Sequence, residues 1–299
     1  MSRIIVIGSS NTDMVVKCRK LPAPGETILG GTFFMNPGGK GANQAVTAAR
    51  LGGDVIFVTK TGNDLFGDQS KVIFKNEGIN TDFIIRDAKN PSGIALIPVD
   101  ENGENSVVVA PGSNATLSAY DIDDEVYGDD PSDVFLLQLE IPVSTVEFVS
   151  QKVFQKGNRV ILNPAPAHTL SDDLLHSLYL ITPNEIEAEL ITGVKVVNPQ
   201  SAGKAAEKLL RKGVRNVVIT MGAAGAFLMT GKVEKMIPVV PVKAIDTTAA
   251  GDVFNGALAV SISEGFDMED AVAFANKAAS LSVTKLGAQA SAPFRTQLI

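Results

Sequence analysis

The 299-residue sequence predicts an α/β protein with a mainly parallel sheet, helices on both faces and a small antiparallel β lid. Three observations support this prediction. Short apolar runs alternate with helical patterns, which is typical of a parallel sheet with crossover helices. Polar residues follow several of these runs, where strands would end. Two segments, about 14–36 and 93–110, interrupt the alternation with strand-like runs separated by proline, glycine or Asn-Gly.

Composition excludes several other classes of protein. The net charge of −7 and the lack of a basic run argue against nucleic acid or an anionic membrane as partner. Cys18, the one cysteine, excludes an internal disulfide framework, and with only His168 and His176 beside it a usual zinc site is also excluded. No apolar run approaches the roughly 18 residues of a membrane span. We expect a cytoplasmic protein with one domain over residues 1–299.

The first predicted strand, residues 3–8, leads into Gly8-Ser-Ser-Asn-Thr-Asp13. The dinucleotide fingerprint Gly-x-Gly-x-x-Gly is absent there. Ligands of open α/β sheets bind outside the carboxyl ends of the strands, so Asn11 and Asp13 are candidates to bind sugar hydroxyls. Taken alone, these residues are equally consistent with a polar turn.

A glycine-rich segment, Gly38-Gly-Lys-Gly41, opens the next predicted helix. It is not a P-loop, because Gly41 replaces the Ser or Thr that would hold magnesium and the first glycine of that motif is missing. Lys40 and Asn43 are polar candidates at this helix start. A purely structural loop is the alternative interpretation.

The two interrupting segments predict the lid. Glu101-Asn-Gly-Glu104 lies between apolar strand patterns, and Asn-Gly in that position is a strong hairpin signal. Such a lid could cover a ligand and exclude water. Its outer face could pair with another subunit.

The second half of the chain alternates strand and helix patterns from residue 134 to residue 227. Polar residues again follow the predicted strands. They are Glu140, Asn184, Glu187, Thr220 and Gly222.

A second loop of small residues, Ala249-Ala-Gly251, feeds directly into a helix with apolar residues at 253, 257 and 260. Backbone N–H groups can converge on an anion at such a helix start, aided by the helix dipole. Asp252 could cap this helix, or it could accept a proton from an attacking hydroxyl. The segment alone does not decide between them.

Together these motifs resemble the ribokinase-like carbohydrate kinase family over nearly the whole chain. The segments that carry the resemblance are 8–13, 24–27, 38–45, 138–140, 163–166, 182–185, 246–256 and 287–289. The two glycine-rich blocks in this order are specific for the family, and the surrounding segments point to its ribose-phosphorylating members.

The resemblance implies transfer of the ATP γ-phosphoryl group to the 5-hydroxyl of D-ribose. Asp252 would be the base, and the N–H groups of Ala249, Ala250 and Gly251 would form the anion hole. The residues implied to bind ribose, besides Asp252, are Asn11, Asp13, Gly39, Lys40, Asn43 and Glu140.

The resemblance also implies Mg²⁺ and a monovalent cation, usually K⁺. Asn184 and Glu187 would act on magnesium and the ATP phosphates through water. The other nucleotide contacts implied are Thr220, Gly222, Gly225, Gly251 and Asn276. The cation site implied, partly through backbone carbonyls, is Asp246, Thr248, Ser282, Lys285, Gly287 and Ser291. The family's lid forms a homodimer.

One position departs from the pattern of many members, which have glycine where Ala249 stands. Alanine keeps the N–H group but excludes some backbone conformations. The alternatives are a kinase for another small sugar or a nucleoside, such as deoxyribose, or a non-catalytic sugar- or nucleotide-binding protein. A nucleoside kinase would need an apolar or aromatic slot for the base, and Phe33 and Phe34 in the lid could provide it.

Overall fold

The computed structural model describes residues 2–128 and 130–298. Their strands are β1 (Ile4–Ile7), β2 (Asn11–Lys17), β3 (Thr32–Gly38), β4 (Val55–Gly62), β5 (Ile84–Asp87), β6 (Gly93–Val99), β7 (Val108–Ala110), β8 (Val134–Leu137), β9 (Arg159–Leu162), β10 (Leu180–Ile181), β11 (Asn216–Thr220), β12 (Ala226–Thr230) and β13 (Glu234–Ile237). The α-helices are α1 (Lys40–Arg50), α2 (Leu65–Asn76), α3 (Val143–Gln155), α4 (Asp172–Ser177), α5 (Glu185–Thr192), α6 (Pro199–Arg211), α7 (Ala250–Ser263) and α8 (Met268–Ser282).

The large sheet has the strand order β13-β12-β11-β10-β9-β8-β1-β4-β5. The strands from β11 to β5 are parallel to their neighbours, and β12 and β13 are antiparallel. The β11–β12 connection, residues 221–225, is too short for the crossover that a parallel pair needs. The mainly parallel sheet predicted from the sequence is confirmed.

Helices cover both faces of this sheet. Ile4 and Val6 pack into a core formed with α1, α2, α7 and α8, whereas Ile5 and Ile7 pack into a second core with α3 to α6. Successive side chains of a strand point to opposite faces, so β1 contributes to both layers and is apolar throughout. Among the described residues, no helix combines the length and apolarity that crossing a membrane requires.

The two interrupting segments pair with one another, as predicted, in a small sheet of order β3-β2-β6-β7. The outer pairs β2–β3 and β6–β7 are antiparallel, and the second is closed by the predicted Asn-Gly hairpin. The central pair β2–β6 is parallel, with Asn11 opposite Gly93. Both segments leave the main domain at the same edge, so their first strands run in the same direction.

One face of this lid is apolar and uncovered. Met35, Met14, Leu96 and Val108 lie side by side across its four strands. Met35, Leu96 and Val108 are 46%, 47% and 64% exposed. An apolar row of this length across a whole sheet is typical of an interaction surface.

Candidate active site

The first glycine-rich loop brings the start of α1 against the end of β1. Gly39 precedes α1 with a φ of 90°, in the left-handed region that favours glycine. A Cβ at Gly39 would lie 2.8 Å from the backbone nitrogen of Asn11. The loop backbone can therefore approach the end of β1 this closely only with glycine at position 39.

The second loop opens α7. Ala249 has a φ of 59° and is the one non-glycine residue with positive φ in the described chain. The N–H of Ala250 donates to the carbonyl of Thr247 at 3.2 Å. No protein acceptor for the N–H groups of Ala249 and Gly251 is present within residues 2–128 and 130–298. Two of the three N–H groups predicted for the anion hole are therefore free. The third, that of Ala250, would have to break its hydrogen bond to Thr247 or share it with the anion.

Asp252 does not cap α7. The helix has no side-chain cap, and the Asp252 carboxylate is turned towards α1 instead. Asn43 Nδ2 donates to its Oδ2 at 2.9 Å, and Gln44 Nε2 donates to its Oδ1 at 3.0 Å. Of the two interpretations left open by the sequence, the capping acid is wrong for this conformation. A buried carboxylate held at a helix start beside free N–H groups fits the other interpretation.

Charge is concentrated around Asp252. Burial raises the pKa of the Asp252 carboxyl above its ordinary value, and the charge of Lys40 and the hydrogen bonds from Asn43 and Gln44 oppose that rise. The negative charge of Asp252 raises the pKa of Lys40 above its ordinary value. Burial opposes that rise, and the charges of Glu140 and Glu187 add to it. Lys40 is thus the counter-charge of the site.

The predicted sugar ligands surround the carboxylate on the lid side. Asn11 Oδ1 accepts a hydrogen bond from Asn114 Nδ2 at 2.8 Å. Burial, followed by the charges of Glu140 and Asp252, raises the pKa of Asp13 to about 6. In the described chain the Asp13 carboxylate has no hydrogen-bond donor, and the buried Oδ1 of Asn43 has no partner either. These two groups are free acceptors for hydroxyl donors.

Glu140 is already bonded to the protein. Its Oε2 accepts hydrogen bonds from Ser9 Oγ at 2.6 Å and from the Lys40 backbone N–H at 3.0 Å. It therefore ties the end of β8 to the end of β1 and to the first turn of α1. Its Oε1 remains for a ligand.

The predicted nucleotide residues border one cavity of about 390 Å³ together with the α7 loop. The predicted site residues that line it are Lys40, Asn184, Glu187, Thr220, Gly222, Gly225, Ala249, Ala250, Gly251, Asp252 and Asn276. Asp252 thus borders this cavity and is also hydrogen-bonded to Asn43, one of the two residues with free acceptors.

Two of the nucleotide candidates also have structural contacts. Asn184 Oδ1 accepts from the Glu187 N–H at 2.8 Å, and Glu187 Oε2 accepts from the Asn184 N–H at 2.9 Å, which is a capping box for α5. Asn276 Nδ2 donates to the carbonyls of Ile237 and Pro238. Burial raises the pKa of Glu187, against the hydrogen bond from Asn184 and the charge of Lys40.

The predicted cation-site residues form a pair of joined loops beside α7. Asp246 accepts from the N–H of Thr248 at 2.9 Å and from the N–H of Gly287 at 2.8 Å. Burial alone would raise the pKa of Asp246, but these hydrogen bonds outweigh it and hold the pKa below its ordinary value. The other predicted members, Ser282, Lys285 and Ser291, lie on the second loop or border it.

The oxygen atoms that these loops offer as ligands fit a monovalent cation. They belong to one carboxylate, hydroxyls and backbone carbonyls, which are hard oxygen ligands. Within the described residues, no group of three or more His, Cys, Asp or Glu side chains could hold a metal ion. A monovalent cation held mainly by neutral oxygens fits this arrangement better than a transition metal does.

Sequence reasoning missed several polar residues that support the site. Gln44, Gln138 and Asn163 are buried and hydrogen-bonded beside Asp252, and Ser9 holds Glu140. Gln138 gave a signal that could have been used, because it interrupts the apolar strand pattern 134–139. A buried amide in an apolar strand requires partners, and here the partners belong to the site.

Comparison with known proteins now defines the class. A family model described as pfkB family carbohydrate kinase matches residues 1–295, and the chain belongs to this family. It is 44% identical to a ribokinase of Haemophilus influenzae, over 99% of this chain and 97% of that protein. It is 38% identical to a deoxyribokinase of Salmonella typhi, over 97% and 95%. The structure of an Arabidopsis thaliana ribokinase complexed with ribose and ATP superposes with a TM-score of 0.93 at 32% identity, covering 100% of this chain and 98% of that one.

Proposed function

We propose that this chain transfers the γ-phosphoryl group of ATP to the 5-hydroxyl of D-ribose, giving D-ribose 5-phosphate and ADP. The observation that carries the proposal is the position of Asp252. Its buried carboxylate borders a cavity together with N–H groups at a helix start, is hydrogen-bonded to Asn43 and acts by its charge on Asp13, whose carboxylate is a free acceptor like Asn43 Oδ1. Similarity to ribokinases over the whole chain supports ribose as the acceptor.

The sugar-side residues have complementary chemistry for a polyhydroxyl substrate. Asp13 and Asn43 Oδ1 supply acceptors without protein donors, and Lys40 supplies a cationic donor. Asn11 is held by Asn114 and completes the strand-end edge of the pocket with the Gly39 backbone. Glu140 would accept a sugar hydroxyl with the oxygen that Ser9 and Lys40 leave free.

The reaction follows from this arrangement. Asp252 accepts the proton of the 5-hydroxyl as that oxygen attacks the γ-phosphorus, the bond from the phosphorus to the ADP oxygen breaks, and ADP leaves with the negative charge. The N–H groups of Ala249 and Gly251, with that of Ala250 if its bond to Thr247 opens, stabilise charge on the moving phosphoryl group. The helix dipole of α7 adds to this stabilisation.

Two metal ions complete the proposal. Mg²⁺ neutralises the ATP phosphates when bound, and Glu187 would orient it through water with the carboxylate oxygen that the capping box does not use. A monovalent cation, K⁺ in particular, would be held by the loops around Asp246, Thr248 and Gly287. Its charge would stabilise the conformation of the adjacent loop that carries Ala249.

The adenine end of ATP would lie at the far end of the cavity. Thr220, Gly222 and Gly225 border it at the β11–β12 turn, and Asn276 borders it from α8. Asn276 fixes the chain at Ile237 and Pro238, and so it shapes this end of the cavity.

We further propose that one kinase domain spans the chain and forms a homodimer in the cytoplasm through the apolar lid face. Met35, Leu96 and Val108 on that face would be buried against a second lid. Phe33 lies on the same outer face at 57% exposure, so it supports the dimer and not a base-binding slot. Phe34 lies on the opposite face of the lid, which carries Asp13, so a nucleoside stays open as an alternative acceptor.

A second candidate substrate is 2-deoxyribose, because the Salmonella typhi relative named deoxyribokinase is 38% identical over nearly the whole chain. A coupled ADP-release assay with ATP, magnesium and potassium decides between the acceptors. Ribose, 2-deoxyribose, fructose and adenosine are compared by kcat/KM. Preference for ribose supports the proposal, and preference for 2-deoxyribose replaces it while keeping the role of Asp252. No turnover with any of them would favour an acceptor outside this set or a binding protein.

A further inference from the structure

A chain of buried amide side chains runs from the β8 side of the sheet to Asp252. Gln138 Nε2 donates to Gln44 Oε1 at 2.6 Å. Gln44 Nε2 donates both to Asp252 Oδ1 and to Asn163 Oδ1, each at 3.0 Å. Gln44 and Gln138 are fully buried, so neither can exchange these partners for water.

The direction of this chain is set by Asp252. An ionised carboxylate only accepts hydrogen bonds, so Gln44 must turn its –NH₂ group towards Asp252 and its oxygen away. That oxygen then requires a donor, and the Nε2 of Gln138 is the donor that reaches it. Gln138 Oε1 is left buried without a partner among the described residues. A buried acceptor is costly to leave unpaired, and the hydrogen bonds made by the other end of Gln138 must offset that cost.

The backbone is shaped to admit the chain. A Cβ at Gly256 of α7 would lie 2.7 Å from the carbonyl oxygen of Gln44, so the missing side chain lets α7 approach α1 closely. A Cβ at Gly8 would overlap Gln138 Oε1. The two glycines therefore make room for Gln44 to meet Asp252 and for Gln138 to meet Gln44.

We infer that Gln44, held in one orientation by Gln138, is a positioning residue that fixes the Asp252 carboxylate for attack by the sugar hydroxyl. The inference rests on the proposed function, since it concerns the base of that reaction. Asn43 holds one carboxylate oxygen and Gln44 holds the other, so the plane of the carboxylate cannot rotate while both bonds are made. Gln138 contributes although its hydrogen bonds do not reach Asp252.

The charged groups that face Asp252 come from four elements and do not replace Gln44. Lys40 is on α1, Asp13 on β2, Glu187 on α5, and Glu140 follows β8. Three of these are acids, which repel an ionised carboxylate. In the described chain, the neutral donors that bond Asp252 through side chains are Asn43 and Gln44.

The test is Gln138→Leu, which removes the donor to Gln44 without touching Asp252. Gln44 Oε1 is then buried without a donor and the Gln44 side chain is less restrained, so Asp252 is held less precisely and we expect kcat to fall on the order of tenfold or more, as small misplacements of catalytic groups do. KM for ribose and for ATP should stay within about twofold, because the ligand-binding groups are intact. The matched control is Thr145→Val, which removes a buried hydrogen bond to the Leu117 carbonyl on the opposite face of the sheet and should leave kcat unchanged.

A second readout does not depend on turnover. The ¹³C carboxyl resonance of Asp252, assigned by its loss in Asp252→Asn, is titrated in the wild type and in Gln138→Leu. We expect its titration midpoint to move to higher pH, because the hydrogen bond from Gln44 is weaker when Gln138 no longer holds Gln44. Gln138→Met, which keeps an unbranched side chain, is measured in the same way if Gln138→Leu does not fold.

The outcomes distinguish the positioning role of Gln44 from the proposed function with ribose as the acceptor. Wild-type turnover of ribose with a kcat in the Gln138 variant equal to that of Thr145→Val would overturn the positioning role alone. A wild type inactive on ribose would overturn the proposed substrate, and the Asp252 titration would still decide the positioning role. An unchanged midpoint then rejects it, and a raised midpoint supports it.

Discussion

Asn43 and Asp252 are 209 positions apart in the chain and are joined by a hydrogen bond of 2.9 Å from Asn43 Nδ2 to Asp252 Oδ2. Each residue lies in the first turns of a helix that a loop of small residues opens. The bond therefore connects the two loops that resemble the family motifs. It also leaves the amide oxygen of Asn43 free for a ligand, since the amide nitrogen must face the carboxylate.

Replacing Asp252 by Asn should abolish most turnover and keep ligand binding. The change removes the proton acceptor, and general base catalysis contributes about 10²–10⁴ in rate. The new amide would also present a donor to the –NH₂ group of Asn43 or Gln44, so we expect a modest loss of thermal stability. Steady-state kinetics, thermal denaturation and calorimetric titration of ribose and ATP measure these effects. A kcat near that of the wild type would remove Asp252 from the role of base.

The fold could be predicted from the sequence because its signals are local. Alternation of apolar runs and helical patterns defined the main sheet, and Asn102-Gly103 defined the lid hairpin. The parallel pairing of β2 with β6 could not be predicted in this way, because it depends on two distant segments leaving the main domain at the same edge.

The site was predictable only in part for a similar reason. Residues at strand ends and helix starts, such as Asp13 and Asp252, stand out because such positions border ligands. Gln44 and Gln138 lie within a helix and a strand pattern, where a polar side chain gives no indication of its partner. The bond of Asp252 to α1, and so the failure of the capping interpretation, depends on how closely α7 packs on α1, which is a tertiary property.

Replacing Ala249 by Gly should raise or preserve stability and retain activity. Ala249 has a φ of 59°, a conformation that costs an L-residue about 1–2 kcal/mol and costs glycine almost nothing. The gain is partly offset by the larger entropy of glycine in the unfolded chain. Ala250→Gly is the control: Ala250 begins the helix with no positive φ, so glycine there should destabilise the protein. Thermal denaturation that ranks the two variants in the opposite order would contradict the strain argument.

Replacing Leu96 by Glu should produce a monomer. Leu96 lies in the middle of the apolar lid face, so a carboxylate there would be buried without a partner in the proposed dimer. Leu65→Glu is the control, because Leu65 is also exposed but lies on α2, away from the lid. Light scattering coupled to gel filtration gives the mass of each protein. A wild-type monomer, or a Leu96→Glu dimer, would reject the lid as the interface.

Exchange of K⁺ for a bulky organic cation at the same ionic strength should lower kcat. The loops joined by Asp246 and Gly287 offer mostly neutral oxygens, which a large organic cation cannot bring together. Equal ionic strength keeps general screening constant, so the comparison isolates site binding. Asp246→Asn should reduce the difference between the two salts, because it removes the one carboxylate of the set. Equal rates in both salts for the wild type would argue against a cation site.

Affinity for ribose should fall as the pH drops through about 6, the pKa to which burial and the charges of Glu140 and Asp252 raise the Asp13 carboxyl. Hydroxyl donors of the sugar stabilise the ionised carboxylate, so binding lowers this pKa and releases a proton when the free protein holds one. The affinity for ribose is therefore highest above about pH 6, where the Asp13 carboxylate is already ionised. Below that pH the affinity weakens by up to about tenfold per pH unit.

Calorimetric titration of ribose without ATP, from about pH 5 to about pH 8 and in buffers of different ionisation enthalpy, measures affinity and proton release together. Asp13→Asn keeps the shape of the side chain and cannot titrate, so its affinity should be lower than that of the wild type at the alkaline end and flat through the whole range. The kcat profile of the same variant should still fall at acid pH, because the Asp252 carboxylate is retained and still has to be ionised to act as the base. Wild-type affinity that is constant over this range would show that the Asp13 carboxylate does not bind the sugar.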